Sequence, residues 1–229
     1  MNILIIGGTR GIGRELAASM AKATENRIIV TGRNEDAMKT LASEHSNISC
    51  ITLDLTDNEC GKILFKKISQ MQIHHVDVLI NIAGRLALKD FADFDEEEAR
   101  RIMEVNFFGP ASVIKQIKPL MPKGSHIVNI SSMGGFQGSS KYRGLSYYSA
   151  SKAAIACLSE CLAGEFSESG ISVNCLALGS VQTEMLAEAF PGYKAPVNAF
   201  EMAEFIADFA LRGHRFFNGK ILPVAVTNP

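Results

Sequence analysis

Short runs of aliphatic and β-branched residues alternate along this chain with longer stretches whose apolar positions recur at helical spacing. Asn2–Ile6, Arg27–Thr31, Ile48–Leu53, Val76–Ile80, His126–Ile130, Ser172–Ala177 and Lys220–Val226 read as strands. Most are continuously hydrophobic, as expected of a parallel sheet covered on both faces. Stretches near 11–23, 35–45, 57–70, 96–117, 146–168 and 199–211 lie between them and predict helices. Asp57 stands as an N-cap for the third. Asp95 followed by Glu96, Glu97 and Glu98 gives the fourth an acidic first turn, suited to the positive end of a helix dipole. Strand and helix alternating from end to end imply βαβ units, right-handed crossovers and a doubly wound α/β fold.

No linker, repeat or low-complexity segment interrupts the pattern, so one domain over 1–229 is expected, and Gly134–Ser140 reads as a loop inside it. A hydrophobic content of 47% with 21% charged residues is ordinary for a globular protein. The net charge of −1 gives no reason to expect nucleic acid or an anionic membrane as partner. The five cysteines (Cys50, Cys60, Cys157, Cys161, Cys175) form no CxxC pair and show no zinc spacing with histidine. Cys157 and Cys161 share a helix face rich in Ala and Leu and read as small core residues. An odd cysteine count, no basic leader and no run near the ~20 apolar residues of a membrane helix together predict a soluble, cytoplasmic protein. His74 and His75 read as a solvated turn, His45, His126 and His214 are scattered, and no metal is expected.

The first strand runs into Gly7-Gly8-Thr9-Arg10-Gly11-Ile12-Gly13 and then a helix. Glycines serve a βα turn where the chain bends tightly and where a phosphate approaches the backbone too closely for a Cβ. The helix N-terminus behind it offers unpaired N–H groups to a pyrophosphate. The spacing is GxxxGxG rather than GxGxxG. A dinucleotide site that prefers NAD carries an acidic residue about 20 positions on. Here the second strand ends Val30-Thr31-Gly32-Arg33. Arg33 and Arg10 together would suit a 2′-phosphate, which favours NADP(H) over NAD(H). The competing reading has both arginines solvated, with Glu35 or Asp36 replacing the acid.

Tyr148-Ser149-Ala150-Ser151-Lys152 places a phenol and an ammonium one helical turn apart. A nearby cation favours the phenolate and is expected to lower the tyrosine pKa toward acid–base work at neutral pH. Tyr142 and Tyr147 lack this partner, having Ser146 and Ser151 at the fourth position on.

With these motifs in order, the chain resembles the short-chain dehydrogenase/reductase family, in its single-domain branch, over nearly its whole length. Gly7, Gly11 and Gly13 match the family's cofactor glycines, with Thr9, Arg10 and Ile12 in the same turn. Asp54-Leu55 is similar to the pair that contacts adenine, and Asn81-Ile82-Ala83-Gly84 to the family's NNAG, which brings Asn81, Ala83 and Gly84 into the expected cofactor set. Asn106 matches the asparagine of the fourth long helix, Ser132 the serine after the fifth strand, and Tyr148 and Lys152 complete a catalytic tetrad. Leu178-Gly179-Ser180-Val181-Gln182-Thr183 stands for PGxxxT, so Gly179, Val181 and Thr183 are expected near the nicotinamide and diphosphate.

The resemblance implies a Rossmann-type sheet of seven strands, order 3-2-1-4-5-6-7, with three helices on each face. It also implies hydride transfer between NADP(H) and a small carbonyl or alcohol substrate. Tyr148 would be general acid/base, and Ser132 would orient the carbonyl oxygen. Lys152 would ease proton loss and hold the nicotinamide ribose, and Asn106 would anchor a water that links Lys152 to solvent. Tyr148 and Lys152 therefore count in both the catalytic and the cofactor set. A non-catalytic NADP(H)-binding regulator or scaffold is the alternative, and a nucleotide-sugar epimerase would need a longer C-terminal domain.

Departures from the pattern are Ile6 before the first glycine, Leu178 in place of proline, and a short segment between Thr183 and Asn198. Met185, Leu186, Phe190, Pro191 and Tyr193 would give that lid an apolar inner surface, unless they are core. The helices at 96–117 and 146–168 are candidates to pair across a two-fold axis, so a homodimer or homotetramer is expected.

Overall fold

A computed structural model describes residues 1–226; the last three positions of the expected 1–229 span lie outside it. The strands β1 (Asn2–Ile6), β2 (Arg27–Gly32), β3 (Ile48–Thr52), β4 (Val78–Asn81), β5 (His126–Ser132) and β6 (Ser172–Leu178) form where the sequence pattern puts them. Two short strands follow, β7 (Val181–Gln182) and β8 (Val197–Asn198), and then β9 (Ile221–Val224). The main sheet has seven strands in the order β3-β2-β1-β4-β5-β6-β9, every pair parallel. This is the expected order, with β9 in the seventh place because β7 and β8 pair with each other outside the sheet.

The helices are α1 (Gly11–Ala21), α2 (Glu35–Glu44), α3 (Cys60–Gln70), α4 (Glu96–Met103), α5 (Gly109–Ile117), α6 (Ser146–Glu165), α7 (Glu184–Ala189) and α8 (Ala199–Arg212). Successive residues of β1 show why its strands are continuously apolar. Ile3 and Ile5 point into a cluster with Leu16 and Met20 of α1, Leu41 of α2 and Ile206 of α8. Leu4 and Ile6 point the other way, into a cluster with Leu64 and Ile68 of α3, Val113 of α5 and Ala163 of α6. All four β1 side chains are fully buried, each contributing roughly 1.5–3 kcal/mol relative to exposure.

Four local expectations are corrected. The third helix starts at Cys60, and Asp57 does not cap it. The Asp57 carboxylate accepts from the Glu59 N–H and its carbonyl from the Cys60 N–H, closing an Asx-type turn ahead of the helix. The stretch 96–117 is not one helix: a π-helical turn, Glu104–Phe108, separates α4 from α5. Pro110 lacks the N–H that would reach back four residues to Asn106, and Gly109 lies tight against Leu55, where a Cβ would come within 2.7 Å of the Leu55 Cβ. Cys157 and Cys161 are exposed rather than core. The buried stripe of α6 runs through Lys152, Ile155, Ser159 and Ala163, which turns positions 157 and 161 to the outer face. Lastly, α7 and β8, which pairs back onto β7, structure the segment after Thr183, which the hydrophobic pattern leaves blank. Among the described residues, no helix is long and apolar enough to cross a membrane.

Candidate active site

The strand order reverses between β1 and β4, and a cleft of about 260 Å³ opens there at the carboxyl ends of the strands. The turn after β1 is packed as only glycine allows. Gly7 has φ +99°, and a Cβ on it would lie 2.5 Å from the Ala83 Cα. A Cβ on Gly13 would sit 2.1 Å from the Gly7 carbonyl oxygen. The turn ends at Arg10, the N-cap of α1, whose side chain makes no cap hydrogen bond, and the first helical turn holds no acidic residue. The N–H groups and the positive dipole end of α1 are thus left for an anion. These features fit a dinucleotide pyrophosphate.

Most of the residues expected to hold the cofactor line this cleft. Thr9, Arg10, Gly11 and Ile12 form its floor with Gly7 and Gly13, and Arg33, Asp54 and Leu55 close one end. Ala83, Gly84, Gly179, Val181 and Thr183 form the wall toward Tyr148 and Lys152. Gly32 admits no side chain, because a Cβ there would be 2.2 Å from Thr9 Cγ2. Glu35 accepts from the Thr52 hydroxyl and Asp36 pairs with Lys39, and neither residue lines the cleft. Arg10 pairs with Glu188 of α7 at 3.7 Å, both exposed. The Asp54 carboxyl is held below its ordinary range first by the Thr56 N–H, with Arg33 contributing. Asn81 is the exception: its side chain is buried and donates to Asn129 Oδ1 at 2.7 Å, one link in a chain that continues to Ser159 on α6.

The four tetrad positions converge from three elements. Ser132 ends β5, and its hydroxyl accepts from the Gly134 N–H and lies on the same cleft wall as Tyr148. Tyr148 and Lys152 come from the first turns of α6, with Lys152 Nζ 6.0 Å from the Tyr148 ring centre. Lys152 is almost fully buried and donates to the Ile130 carbonyl at 2.8 Å. Burial lowers its pKa to about 8. Burial also raises the Tyr148 pKa above the ordinary tyrosine value, against the opposing effect of Ser132. The expectation that Lys152 depresses it is therefore corrected: desolvation of the phenol dominates, with Ser132 opposing it.

Asn106 sits in the π turn with its side chain engaged. Its Oδ1 accepts from the Arg85 N–H at 2.8 Å, and its amide donates to the Arg85 carbonyl and to Ser151 Oγ. Both hydrogens are spent, leaving only a lone pair on Oδ1 for the expected water. The observed work of this side chain is to clamp the loop after β4 onto α6 beside Lys152.

A second cavity, about 750 Å³, adjoins the first and shares Ser132 and Tyr148 with it. Met133, Leu145 and Leu178 form its buried floor, and Leu186, Phe190 and Tyr193 reach it from the lid. Met185 faces the glycine cleft instead, and Pro191 lines neither space. Of the other tyrosines, Tyr147 packs on Phe91 and Phe94, and Tyr142 stands exposed at the second cavity's rim.

Residues 1–194 match the family described as short chain dehydrogenase. The chain belongs to the short-chain dehydrogenase/reductase family. Mouse dehydrogenase/reductase SDR family member 7B is 33% identical over 198 residues, covering 82% of this chain and 59% of the mouse protein, so the chain spans well under two thirds of that relative. An uncharacterized oxidoreductase of Staphylococcus aureus (strain MW2) is 26% identical over 207 residues, 89% of this chain and 87% of that protein. Among solved structures, ElxO with NADP bound superposes with TM-score 0.81 at 27% identity, covering 97% of this chain and 96% of that one. A short-chain dehydrogenase/reductase mutant of Serratia marcescens reaches TM-score 0.86 at 22% identity, a likeness of fold.

Within this dehydrogenase/reductase type, sequence reasoning finds the tetrad and the glycine turn through their local spacing. It misses Glu184 and Glu188, which α7 brings to the α1 N-terminus: a methyl on Gly11 would meet the Glu184 carboxylate at 3.4 Å. No local signal marks that contact. The acidic first turn of α7 after Thr183, which caps it through the Leu186 N–H, is the one clue.

Proposed function

We propose that the protein is an NADP(H)-dependent oxidoreductase that interconverts a ketone or aldehyde with the corresponding alcohol. The observation that carries this reading is the placement of Ser132 and Tyr148 on the wall shared by the glycine-turn cleft and the apolar cavity. A group in either space reaches the same two hydroxyls. Bound along the glycine turn, the nicotinamide supplies or accepts the hydride. Tyr148, protonated at neutral pH because burial raises its pKa, gives its proton to the carbonyl oxygen during reduction and takes it back during oxidation. Ser132 orients that oxygen. Lys152, one turn along α6, favours the phenolate as it forms during the reaction. Asn106 keeps the Lys152 environment in place through Arg85 and Ser151.

Support for NADP(H) comes from Arg10 and Arg33 at the cleft, from the lack of room for an acid at Gly32, and from the engagement of Glu35 and Asp36 elsewhere. ElxO, a relative by structure, holds NADP. Titrating NADPH and NADH by fluorescence tests this part, and tighter NADH binding refutes it. Following NADPH oxidation against a panel of small ketones and aldehydes tests the rest. Tyr148→Phe is expected to lower turnover at least 100-fold, and unchanged turnover sinks the mechanism. A homodimer formed through α5 and α6 is part of the proposal, supported by the exposed Phe108, Cys157 and Cys161 beside those helices. Light scattering on Phe108→Asp should then report monomer.

A further inference from the structure

The apolar cavity has a property beyond its size. Among the described residues that line it there is no Lys, Arg, His, Asp or Glu. Lys141 and Arg143 flank Tyr142 at its rim, and both have partners within the protein. Lys141 donates to the Phe136 carbonyl and to Ser139, and Arg143 pairs with Asp90. A carboxylate or phosphate entering this space would lose hydration against a lining that carries no charged side chain among the described residues. The cavity volume of about 750 Å³ is that of a site enclosing a drug-sized ligand.

The polar lining is sparse and divided. Ser132 and Tyr148 form the reacting end. Away from them, Ser180 Oγ and the Tyr193 hydroxyl lie 3.1 Å apart and share a hydrogen bond. Two hydroxyls sharing one hydrogen bond keep one hydrogen and several lone pairs, so the pair can both donate to and accept from a neutral group. It sits where the end of β6 meets the lid.

We propose that this cavity takes an uncharged, mostly apolar carbonyl compound, or the matching alcohol, that carries a second neutral hydrogen-bonding group read by Ser180 and Tyr193. The carbonyl chemistry in this statement rests on the hydride-transfer reading above; the binding preference does not. A site built on an apolar lining disfavours charge, and a hydroxyl pair in it discriminates for a hydroxyl partner.

Three ligands on one skeleton test it: 2-decalone, its 6-hydroxy derivative and its 6-carboxylate. Calorimetry on the full chain at pH 7, with and without NADP⁺, reads their affinities apart from any turnover. The hydroxy ketone is expected to bind tightest and the carboxylate at least ten-fold more weakly than 2-decalone. Tyr193→Phe and Ser180→Ala should each bring the hydroxy ketone to within about two-fold of 2-decalone while leaving 2-decalone itself little changed. Both positions are near the surface, and circular dichroism checks that the variants fold. Equal or tighter binding of the carboxylate overturns the proposal, as does absence of binding by all three. If Tyr193→Phe weakens all three ligands alike, the pair only ties down the lid and the recognition role fails. Binding in the expected order without NADPH oxidation would leave this inference standing and refute hydride transfer. NADPH oxidation with the carboxylate preferred would do the reverse.

Discussion

Replacing Lys152 by methionine should make the protein more stable while abolishing its activity. The ammonium is buried, and its pKa falls from 10.5 to about 8, with desolvation the dominant cause. Because the folded pKa lies below the unfolded one, the unfolded chain binds the proton more strongly, and stability falls as pH drops from 10.5 to 8. Below about 8 the full penalty applies, and at 1.36 kcal/mol per pKa unit it amounts to about 3 kcal/mol. Methionine keeps the packing of the aliphatic stem and removes the charge. Against this, the Ile130 carbonyl loses its 2.8 Å donor, at a cost of about 1–2 kcal/mol. The balance favours the variant by about 1–2 kcal/mol at pH 7, or roughly 2–8 °C in melting temperature for a domain of this size. Urea denaturation of both proteins, with no nucleotide added, should show the gap closing as pH rises from 8 toward 10.5, because only the wild type sheds its penalty there. Turnover should fall at least 100-fold at every pH. A variant no more stable than wild type, with a gap insensitive to pH, would refute the assignment of a desolvation cost to this lysine.

His126 gives a second pH test with a different range. Its ring is fully buried, with Nδ1 2.9 Å from the Ala210 carbonyl and Nε2 3.0 Å from the Asn174 amide, an arrangement satisfied by the neutral ring. Burial lowers its pKa to about 4, so its contribution is present above pH 6.5 and lost as pH falls toward 4, about 3 kcal/mol in all. Urea midpoints at pH 7, 5 and 4 should fall more steeply for wild type than for His126→Asn. Gly7→Ala sets a Cβ 2.5 Å from the Ala83 Cα at φ +99°, and calorimetric unfolding should report a loss of about 2–4 kcal/mol together with lost NADPH binding. Glu188→Gln releases Arg10 from an exposed pair, so fluorescence titration should show NADPH binding two- to three-fold tighter and NADH unchanged. An equal gain for both nucleotides would place Arg10 away from the 2′-phosphate.

What the sequence discloses follows the range of the forces involved. Both helix layers were legible because Ile3 and Ile5 against Leu4 and Ile6 already require two covered faces, whereas the strand order followed from the family resemblance. Tyr148 was separable from Tyr147 because a lysine one turn away is a local signal. The sign of the tyrosine shift was not legible, since it depends on the walls that desolvate Tyr148 and Lys152 together. Cys157 and Cys161 were misplaced for a related reason: a helix of Ala, Ser and Leu has little amphipathic contrast, and only the packing of Ile155 and Ser159 against the sheet fixes which stripe is inside. Asn106 was found by its motif, yet its partner Arg85 lies 21 residues away on another loop, so its clamp became visible only in three dimensions. The same logic explains the lid. The ribbon of β7 and β8 closes a segment whose apolar residues carry no period, and it brings Ser180 to Tyr193, two hydroxyls that no spacing rule would join. The candidate catalytic positions are therefore marked by local spacing and motif, whereas the pair proposed to read the substrate is assembled by a tertiary closure.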